Sequence, residues 1–258
     1  TGLDRRATDP SVRPQDDFWR HVNGRWLAST PFPPDKAYIG AAQELADRTR
    51  AQLRALVETA QRTPEDREAA QLGDLYASFM DEATLETLGA RPLAAELAAI
   101  DAVADKRELG ALFARLGRLG VGNPLGVYIG VDDRDSTRYL PFLSQAGLSL
   151  PTRDYYLKLD DEKFKAVRAK LVQYHTNLLA LGGAGAADAQ HSAQAILALE
   201  TEIARVQWSP VENRDPIKTY NLTALDALPT LAPAIDWPAY LGARSISGKT
   251  PNVVVRQP

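Results

Sequence analysis

The sequence predicts a mainly α-helical protein, a multi-helix domain that carries one small β-hairpin at about residues 127–143. Apolar residues recur at intervals of three and four along most of the chain, which is the period of an amphipathic helix, and short β-prone runs replace that period at one place only. The chain has 258 residues, of which 45% are hydrophobic and 24% charged. That composition is typical of globular proteins, and the length suffices for one large core or two smaller ones.

The N-terminal region is predicted to be an arm followed by a short aromatic helix. Residues 1–15 contain two prolines, which oppose helix and favour an extended arm. Phe18, Val22 and Trp26 are spaced by four, so a helix of about ten residues places three large apolar groups on one face. Three prolines then make residues 28–38 a stiff loop.

Four helices are predicted in the next part of the chain. The first runs from about Ala41 to Gln61, with leucines on its apolar side. Thr63-Pro64-Glu65-Asp66 has the pattern of a helix start, with Thr63 as the N-cap, proline next and acids in the first turn. Two further helices cover residues 90–103 and 106–119, and glycines end the second of them.

The hairpin is predicted where the period changes. Val127–Val131 and Arg138–Leu143 are short and β-prone, and the polar run Asp132–Ser136 lies between them. Proline cannot donate a backbone hydrogen bond to a ladder, so Pro141 is expected on an outer edge.

Two regular helices follow the hairpin. Their apolar residues step by three and four from Phe164 to Leu181 and from Ile196 to Val206, and a short linker at 182–188 makes them an antiparallel pair. Their apolar stripes are wide enough to be buried, so packing should hold them.

The C-terminal region is predicted to be less regular. Thr223–Asp226 has the cap pattern of a last small helix, and the chain beyond Trp237 is expected to be loop-like. Val253–Val255 is a strand fragment close to the last residue. We therefore expect the chain to be cut within a fold.

Composition excludes several classes of function. The net charge of −3 opposes nucleic-acid binding, since nucleic-acid binders usually present a basic face. The chain has no cysteine, which excludes disulfides, thiolate catalysis and cysteine-ligated metals. His21, His175 and His191 are scattered and none begins a His-Glu-x-x-His motif. We expect His175 and His191 to be surface or flanking residues and not metal ligands.

Other local motifs favour structural roles. The run from Ala243 to Thr250 fits a loose phosphate-loop pattern, but no apolar strand precedes it and Pro251 follows it, so we interpret the match as coincidence. The acidic groups at 132–133 and 160–162 suit a hairpin tip and a helix N-terminus. Glu212–Pro216 is typical of a turn capped by side chains. These features alone leave the function unassigned.

Longer motifs carry a family resemblance along nearly the whole chain. The resemblance is to the neprilysin, endothelin-converting enzyme and bacterial oligopeptidase family of zinc metallopeptidases. The matching groups are Val12-Arg13-Pro14 through Asp17-Phe18, Val22-Asn23-Gly24-x-Trp26-Leu27, Pro31-x-Pro33, Gly147-Leu148-x-Leu150-Pro151-x-Arg153-Asp154-Tyr155-Tyr156-Leu157, Leu199-Glu200-x-x-Ile203-Ala204, and Glu212-Asn213-Arg214-Asp215-Pro216-x-Lys218-Thr219-Tyr220-Asn221.

The resemblance implies the N-terminal part of a two-lobed enzyme, secreted or periplasmic after loss of a signal peptide, that hydrolyses peptides of limited size in an enclosed chamber. Residues 1–40 are expected to pack on the enzyme's own C-terminal catalytic domain. Residues 41–258 would form an incomplete helical domain that caps the chamber. In the family, zinc is held by His-Glu-x-x-His and a downstream glutamate, and the motif glutamate activates the zinc-bound water.

No catalytic or zinc-binding residue of the family has a counterpart here, so we expect zinc in the full-length enzyme and none in this chain, which alone should be inactive. Two family arginines that grip a substrate's C-terminal carboxylate align with Tyr38 and Ala46, which cannot make that bidentate contact. Tyr38 is the one candidate for substrate binding. The signature residues expected to be structural are Phe18, Asn23, Gly24, Trp26, Arg153, Asp154, Tyr155, Tyr156, Asn213, Arg214, Asp215 and Tyr220.

Two other hypotheses remain at this point. A non-catalytic helical binding or scaffold protein could be built on the same fold, and the missing arginines favour it slightly. Nucleotide binding at Lys249 is a third possibility, for which we expect no support. The family interpretation also predicts that Phe18, Trp19 and Trp26 are unusually exposed in this chain, because they would face a domain that it does not contain.

Overall fold

Eleven α-helices and a four-stranded sheet make up residues 5–258, the part of the chain that this computed structural model describes. Helices account for 57% of the structure, so the predicted mainly α-helical class is confirmed. The chain divides into two compact units, one ending at Thr87 and the other running from Leu88 to Pro258. Residues 1–4 of the predicted arm lie outside the described residues.

The first unit is helical. Its helices are α1 (Phe18–Ser29), α2 (Ala41–Arg62), α3 (Arg67–Met80) and most of α4 (Glu82–Leu88). The predicted N-cap of α3 at Thr63 is wrong. Asp66 caps the helix instead, because its extended backbone lets a side-chain oxygen accept from the Ala69 N–H at 2.8 Å. Thr63 ends α2, since its own N–H is bonded to the Thr59 carbonyl.

The α2–α3 pair is in contact at glycine and alanine, and the predicted leucine stripe does not form the contact. A Cβ on Gly73 would lie 2.7 Å from the Ala60 carbonyl oxygen, so only glycine allows the two backbones to approach this closely. The leucines predicted on the apolar side of α2, such as Leu53 and Leu56, are exposed. Apart from the half-buried Val57, the apolar stripe of α2 is therefore left uncovered by the described residues of its unit.

The second unit combines helices with the sheet. Its helices are α5 (Ala94–Asp101), α6 (Leu109–Arg118), α7 (Asp154–Leu157), α8 (Glu162–Leu181), α9 (Ala186–Val206), α10 (Leu228–Leu231) and α11 (Trp237–Ala243). The strands are β1 (Leu125–Asp132), β2 (Asp135–Gln145), β3 (Asn221–Ala224) and β4 (Asn252–Val255), in the order β1-β2-β4-β3. The predicted hairpin is confirmed as β1 and β2, and two later strands extend it.

Three expectations for this unit need correction. Pro141 lies on an inner strand, and this is tolerated because β4 pairs with β2 only at Phe142 and Leu143, beyond the proline. Residues 221–224 form β3, since they pair antiparallel with β4, and the small helix begins after them. The chain beyond Trp237 is not loop-like: Asp236 caps α11 by accepting from the Ala239 N–H at 3.0 Å.

The α8–α9 hairpin is confirmed, but of the two predicted apolar stripes only Leu171 of α8 is buried. α9 buries Ala189, Ala193 and Ala204 completely, whereas Leu199 and Val206 on its apolar stripe are exposed. The main core of the unit lies elsewhere, between the sheet and α6, α10 and α11; its buried residues are Ala114, Leu143, Leu228, Trp237, Tyr240, Leu241, Ile246, Val253 and Val255. No helix within residues 5–258 is long and apolar enough to cross a membrane.

Candidate functional site

Tyr38, the one predicted substrate-binding residue, lies in the loop between α1 and α2 and is 65% exposed. Lys36 in the same loop is paired with Asp47 of α2 at 3.4 Å, and Arg50 reaches the same carboxylate at 2.7 Å. These neighbouring cations are therefore already engaged with an acid. Tyr38 itself offers a phenol and an aromatic face to solvent.

The signature residues of α1 hold the chain segment that precedes the helix. A Cβ on Gly24 would lie 2.6 Å from the Asp9 Cβ, so the arm can cross the helix only at a glycine. The Asp9 N–H donates to the His21 carbonyl at 2.7 Å, and His21 Nδ1 lies 2.7 Å from the Val12 carbonyl oxygen. His21 thus fixes the arm. Asn23 donates to the Trp19 carbonyl within the helix at 3.0 Å.

The three aromatics of α1 differ in exposure. Phe18 is 70% exposed and Trp19 is 57% exposed, whereas Trp26 is half-buried and donates its indole N–H to Glu44 of α2 at 3.2 Å. Phe18 and Trp19 therefore have the exposure that the family interpretation predicts. The one polar atom of the Trp26 side chain is therefore hydrogen-bonded to the next helix of the same unit.

In the second unit, the Gly147–Leu157 motif is fastened to α9 through a buried carboxylate. Glu200 accepts from the Ser149 hydroxyl and from the Tyr156 hydroxyl, both at 2.6 Å. The Tyr156 oxygen in turn accepts from the Leu150 N–H at 2.9 Å. Burial, reinforced by the bond to Glu200, raises the pKa of Tyr156, so the phenol stays protonated and works as a fixed donor.

Arg153 caps the C-terminal end of α9. Its guanidinium donates to the Gln207 carbonyl and, at 3.5 Å, to the Arg205 carbonyl. A cation at these free carbonyls is favoured by the helix dipole. Its neighbours Asp154 and Tyr155 secure α7: Asp154 pairs with Lys158 at 2.7 Å, and Tyr155 packs on the Phe164 ring at 4.4 Å.

Glu212–Pro216 is a turn capped by side chains, as the sequence predicts. Asp215 accepts from the N–H groups of Ile217 and Lys218 at 2.9 and 3.1 Å, and these bonds lower its pKa. Asn213 accepts from Gln257 at 2.9 Å, and the Arg214 side chain is exposed.

Tyr220, four residues after that turn, reaches the tip of the β1–β2 hairpin with its side chain. Its hydroxyl donates to the buried Asp132 at 2.8 Å, and Arg138 binds the other oxygen of that carboxylate at 2.7 Å. The Arg134 N–H, which bonds the same acid, is the main cause that lowers the pKa of Asp132. Asp132 is therefore an anchor for the hairpin and not a free catalytic acid.

Three glutamines that no sequence motif singled out connect these motifs: Gln145, Gln207 and Gln257. The Gln145 side chain binds both the N–H and the carbonyl of Trp208, at 2.7 and 3.0 Å. Gln207 donates to the Ala146 carbonyl at 2.8 Å, and Gln257 accepts from the Gln145 N–H at 2.9 Å. Gln145 and Gln257 are 112 residues apart, so only the fold could identify the pair.

Two cavities, of about 370 and 380 Å³, border this glutamine network. Both are lined by Gln145, Ala146, Gln207 and Trp208. The first, which we call the apolar cavity, is otherwise lined mainly by aliphatic and tryptophan side chains. The second includes Arg153 and Asn213, so two signature residues meet at its wall.

The described residues do not fit a zinc centre. Within residues 5–258 no three His, Asp or Glu side chains lie close enough to hold a metal ion. His21 is committed to the arm, and His191 is exposed. His175 Nε2 is buried without a hydrogen-bond partner among the described residues, but His175 belongs to no group of three possible metal ligands there. No step that requires zinc can be assigned to residues of this part of the chain.

Comparison with known proteins gives a consistent result. Residues 14–258 match the family described as Peptidase family M13. The chain is 30% identical over 260 residues to endothelin-converting enzyme 1 of Mus musculus, covering 91% of this chain and 31% of that protein. It is 27% identical to an endothelin-converting enzyme homolog of Locusta migratoria, covering 95% of this chain and 36% of the relative.

Solved structures agree with the sequence relatives. The Mycobacterium tuberculosis zinc metalloprotease Zmp1, in complex with an inhibitor, matches with a TM-score of 0.86 at 40% identity, covering 100% of this chain and 39% of that one. PepO from Lactobacillus rhamnosis matches with a TM-score of 0.75 at 23% identity, covering 96% of this chain and 39% of PepO, and so supports the fold alone. The chain spans about a third of the length of the curated relatives.

Proposed function

Because this chain belongs to peptidase family M13, we propose that it is the N-terminal, chamber-forming portion of a neprilysin-like zinc metallopeptidase that hydrolyses peptides of limited size. The observation that carries the proposal is the match of residues 14–258 to the family, together with 40% identity to a zinc metalloprotease of known structure. The activity, the peptide substrates and the location outside the cytoplasm belong to the full-length protein.

The large exposed surface supports a role as part of a longer protein. The chain exposes 18222 Å². A globular protein of 28.2 kDa exposes about 11,000 Å², and two separate globules of the same total mass about 13,000 Å². Phe18, Trp19, Leu75 and Phe79 contribute to the excess, with exposures of 57–75%. Surfaces of this kind normally mark contacts with other protein.

On this proposal the two parts of the chain have different tasks. Residues 1–40 pack on the catalytic domain through the exposed aromatics of α1. Residues 41–258 form the helical domain that caps the chamber, and Tyr38 lies at the junction, where it contacts substrate. Zinc, bound by residues beyond this chain, would supply a polarised water for attack on the peptide carbonyl. The residues described here would limit access and hold their domain in shape.

The test compares the full-length protein with the 258-residue chain. We expect the full-length protein to hydrolyse a short unstructured peptide, to lose that activity on incubation with a zinc chelator and to regain it with added zinc. The 258-residue chain should neither hydrolyse the peptide nor bind zinc. Chelator-sensitive hydrolysis by the pure 258-residue chain would overturn the division of roles.

The second candidate function is a non-catalytic binding or scaffold protein on the same fold. The observation that favours it is the pair Tyr38 and Ala46, at positions where the resemblance leads us to expect arginines that hold a substrate carboxylate. The full-length protein would then bind peptides without cleaving them. Peptide binding that persists after chelation, with no hydrolysis before it, would establish this alternative.

A further inference from the structure

The apolar cavity lies in the second unit, where α9 and α10 meet the ends of β2 and β4. Its walls include Ile203, Val206, Leu231, Trp208 and Trp237. Val206 is 81% exposed and Leu231 50% exposed, although both line the cavity. An apolar recess with exposed walls is a surface that lacks its partner.

The polar groups at the cavity wall are already engaged. The Gln145 side chain uses both its oxygen and its nitrogen on Trp208. The Gln207 amide nitrogen is held by Ala146, and Gln257 is bonded to Gln145 through its oxygen and to Asn213 through its nitrogen. A polar occupant would therefore find few free partners, and an apolar occupant is favoured.

The end of β4 leads directly into this cavity. Gln257 and Pro258 are both part of its lining, and the two bonds of the Gln257 side chain fix the direction of the backbone there. The relatives are about three times as long as this chain. In a longer protein, the residues after Pro258 therefore begin at the cavity wall, and each can advance about 3.3 Å.

We propose that the segment immediately after Pro258 in the full-length protein seats one or two apolar side chains, aromatic or leucine-sized, in the apolar cavity. The occupant comes from within about six residues of Pro258, because that span already exceeds the width of a cavity of about 370 Å³. The segment closes the recess and holds α9 and α10 against β4. The inference rests on the proposed function only in assuming a longer chain.

The test measures protection of single cysteines in the full-length protein. The 258 residues contain no cysteine, so Val206→Cys introduces the only thiol in this part of the chain. The rate at which this thiol reacts with a charged maleimide is measured in the folded protein and in the same protein unfolded in urea, and the two rates are compared. We expect Val206→Cys to react at least about tenfold more slowly when folded, although Val206 is 81% exposed in this chain.

Leu181→Cys and Ala193→Cys are the matched controls. Leu181 at the end of α8 is also 81% exposed, and Ala193 in α9 is fully buried, so the two bracket the range of reactivity in the same hairpin. Replacing the apolar residues among the six after Pro258 by serine should return Val206→Cys to within about twofold of its unfolded rate. Ala193→Cys should stay protected in that background, which shows that the fold is intact.

Three outcomes would overturn the proposal. Val206→Cys could react as fast in the folded full-length protein as in the unfolded one, so that nothing covers the cavity. It could stay protected after the serine replacements, so that another domain covers it. Its protection could rise with protein concentration, so that a second copy covers it. The labelling test does not depend on hydrolysis. If the full-length protein shows no peptidase activity, the proposed function is refuted, whereas the labelling result for the cavity still holds.

Discussion

At the scale of single residues, Gly147 is required for two independent reasons. Its φ of +87° lies in the left-handed region, and a Cβ would lie 2.9 Å from the Pro124 Cα. Gly248 has a similar φ of +72° but nothing within 4 Å of its Cβ position. Substitution at Gly248 therefore measures the effect of backbone strain alone, and substitution at Gly147 measures strain together with a steric clash.

Gly147→Ala is expected to lower the free energy of unfolding by about 3 kcal/mol, because backbone strain and overpacking add. Gly248→Ala should lower it by about 1–2 kcal/mol, which is the strain alone. Urea unfolding of both variants measures the difference. Equal losses would mean that Pro124 moves aside without cost.

Buried tyrosines make the stability sensitive to alkaline pH. Burial raises the pKa of Tyr156, Tyr220 and Tyr240 above their unfolded value of about 10. A raised folded-state pKa gives stability that is fully present below pH 10 and is lost as the pH rises further, because the unfolded chain releases its protons first.

Tyr156→Phe should therefore reduce the fall in unfolding free energy above pH 10 by up to about 1.4 kcal/mol per pH unit. At pH 7 the same change should destabilise by about 1–3 kcal/mol, since Glu200 loses one of its two donors and the Leu150 N–H loses its acceptor. Tyr139→Phe is the control, because Tyr139 is 69% exposed and should change neither quantity. Unfolding measured from pH 7 to 11 distinguishes the variants.

Tyr38 is a further single residue with a testable effect. On the proposed function, its side chain decides whether the enzyme prefers a peptide with a free C-terminal carboxylate. In the full-length enzyme, Tyr38→Arg should raise kcat/KM for a peptide with a free C-terminal carboxylate, relative to its amide, by about tenfold, since arginine grips a carboxylate with two hydrogen bonds. Phe32→Arg, in the same loop and 58% exposed, should leave the ratio unchanged. An unaltered ratio in Tyr38→Arg would remove Tyr38 from the substrate site.

At the scale of elements, the motifs of the second unit are joined by side chains that bond distant backbone. Gln145 at the end of β2 binds both polar groups of Trp208, which follows α9. Arg153 caps α9 from the loop after β2. A strand end, a helix end and a loop are therefore bonded to one another, which gives motif residues such as Arg153 a structural role.

Gln145→Ala should lower the free energy of unfolding by about 1–3 kcal/mol, because the Trp208 N–H and carbonyl lose their partners. Hydrogen exchange at residues 207–210 should accelerate as well. Gln173→Ala on α8 is the control: Gln173 is exposed and bonds Asn177 on the same helix, so the change should stay within about 0.5 kcal/mol. Unchanged exchange at 207–210 would contradict a joining role for Gln145.

The helices also show what the apolar periodicity of the sequence predicts correctly and what it does not. It located α2, α8 and α9 to within a few residues, because backbone hydrogen bonding and propensity act locally. It did not identify most of their contacts: α9 buries alanines, and Gly73 joins α3 to α2, while most leucines of the stripes stay exposed and only Leu171 is buried. A stripe indicates that a face will be covered, but the partner that covers it is set by the rest of the fold.

At the scale of the whole molecule, exposed aromatic surface predicts contacts outside this chain. Trp19→Ala should change the unfolding free energy of the 258-residue chain by less than about 0.5 kcal/mol, because Trp19 is 57% exposed. In the full-length protein it should destabilise by about 2–4 kcal/mol, since the side chain is then buried against the catalytic domain. Phe142→Ala, at 1% exposure, should destabilise both proteins alike. Equal small effects of Trp19→Ala in both would contradict the packing role of residues 1–40.

The sequence by itself determined the helical class, the hairpin and the family, because helix period, turn residues and long motifs are local properties of the chain. Only the tertiary structure decided that Pro141 lies on an inner strand, that β3 and β4 complete the sheet, and that α11 follows Trp237. It also decided that Glu200, Gln145 and Gln257 hold the motifs together. These contacts join residues 44 to 112 positions apart. Such pairings depend on how whole elements pack, and no local pattern records them.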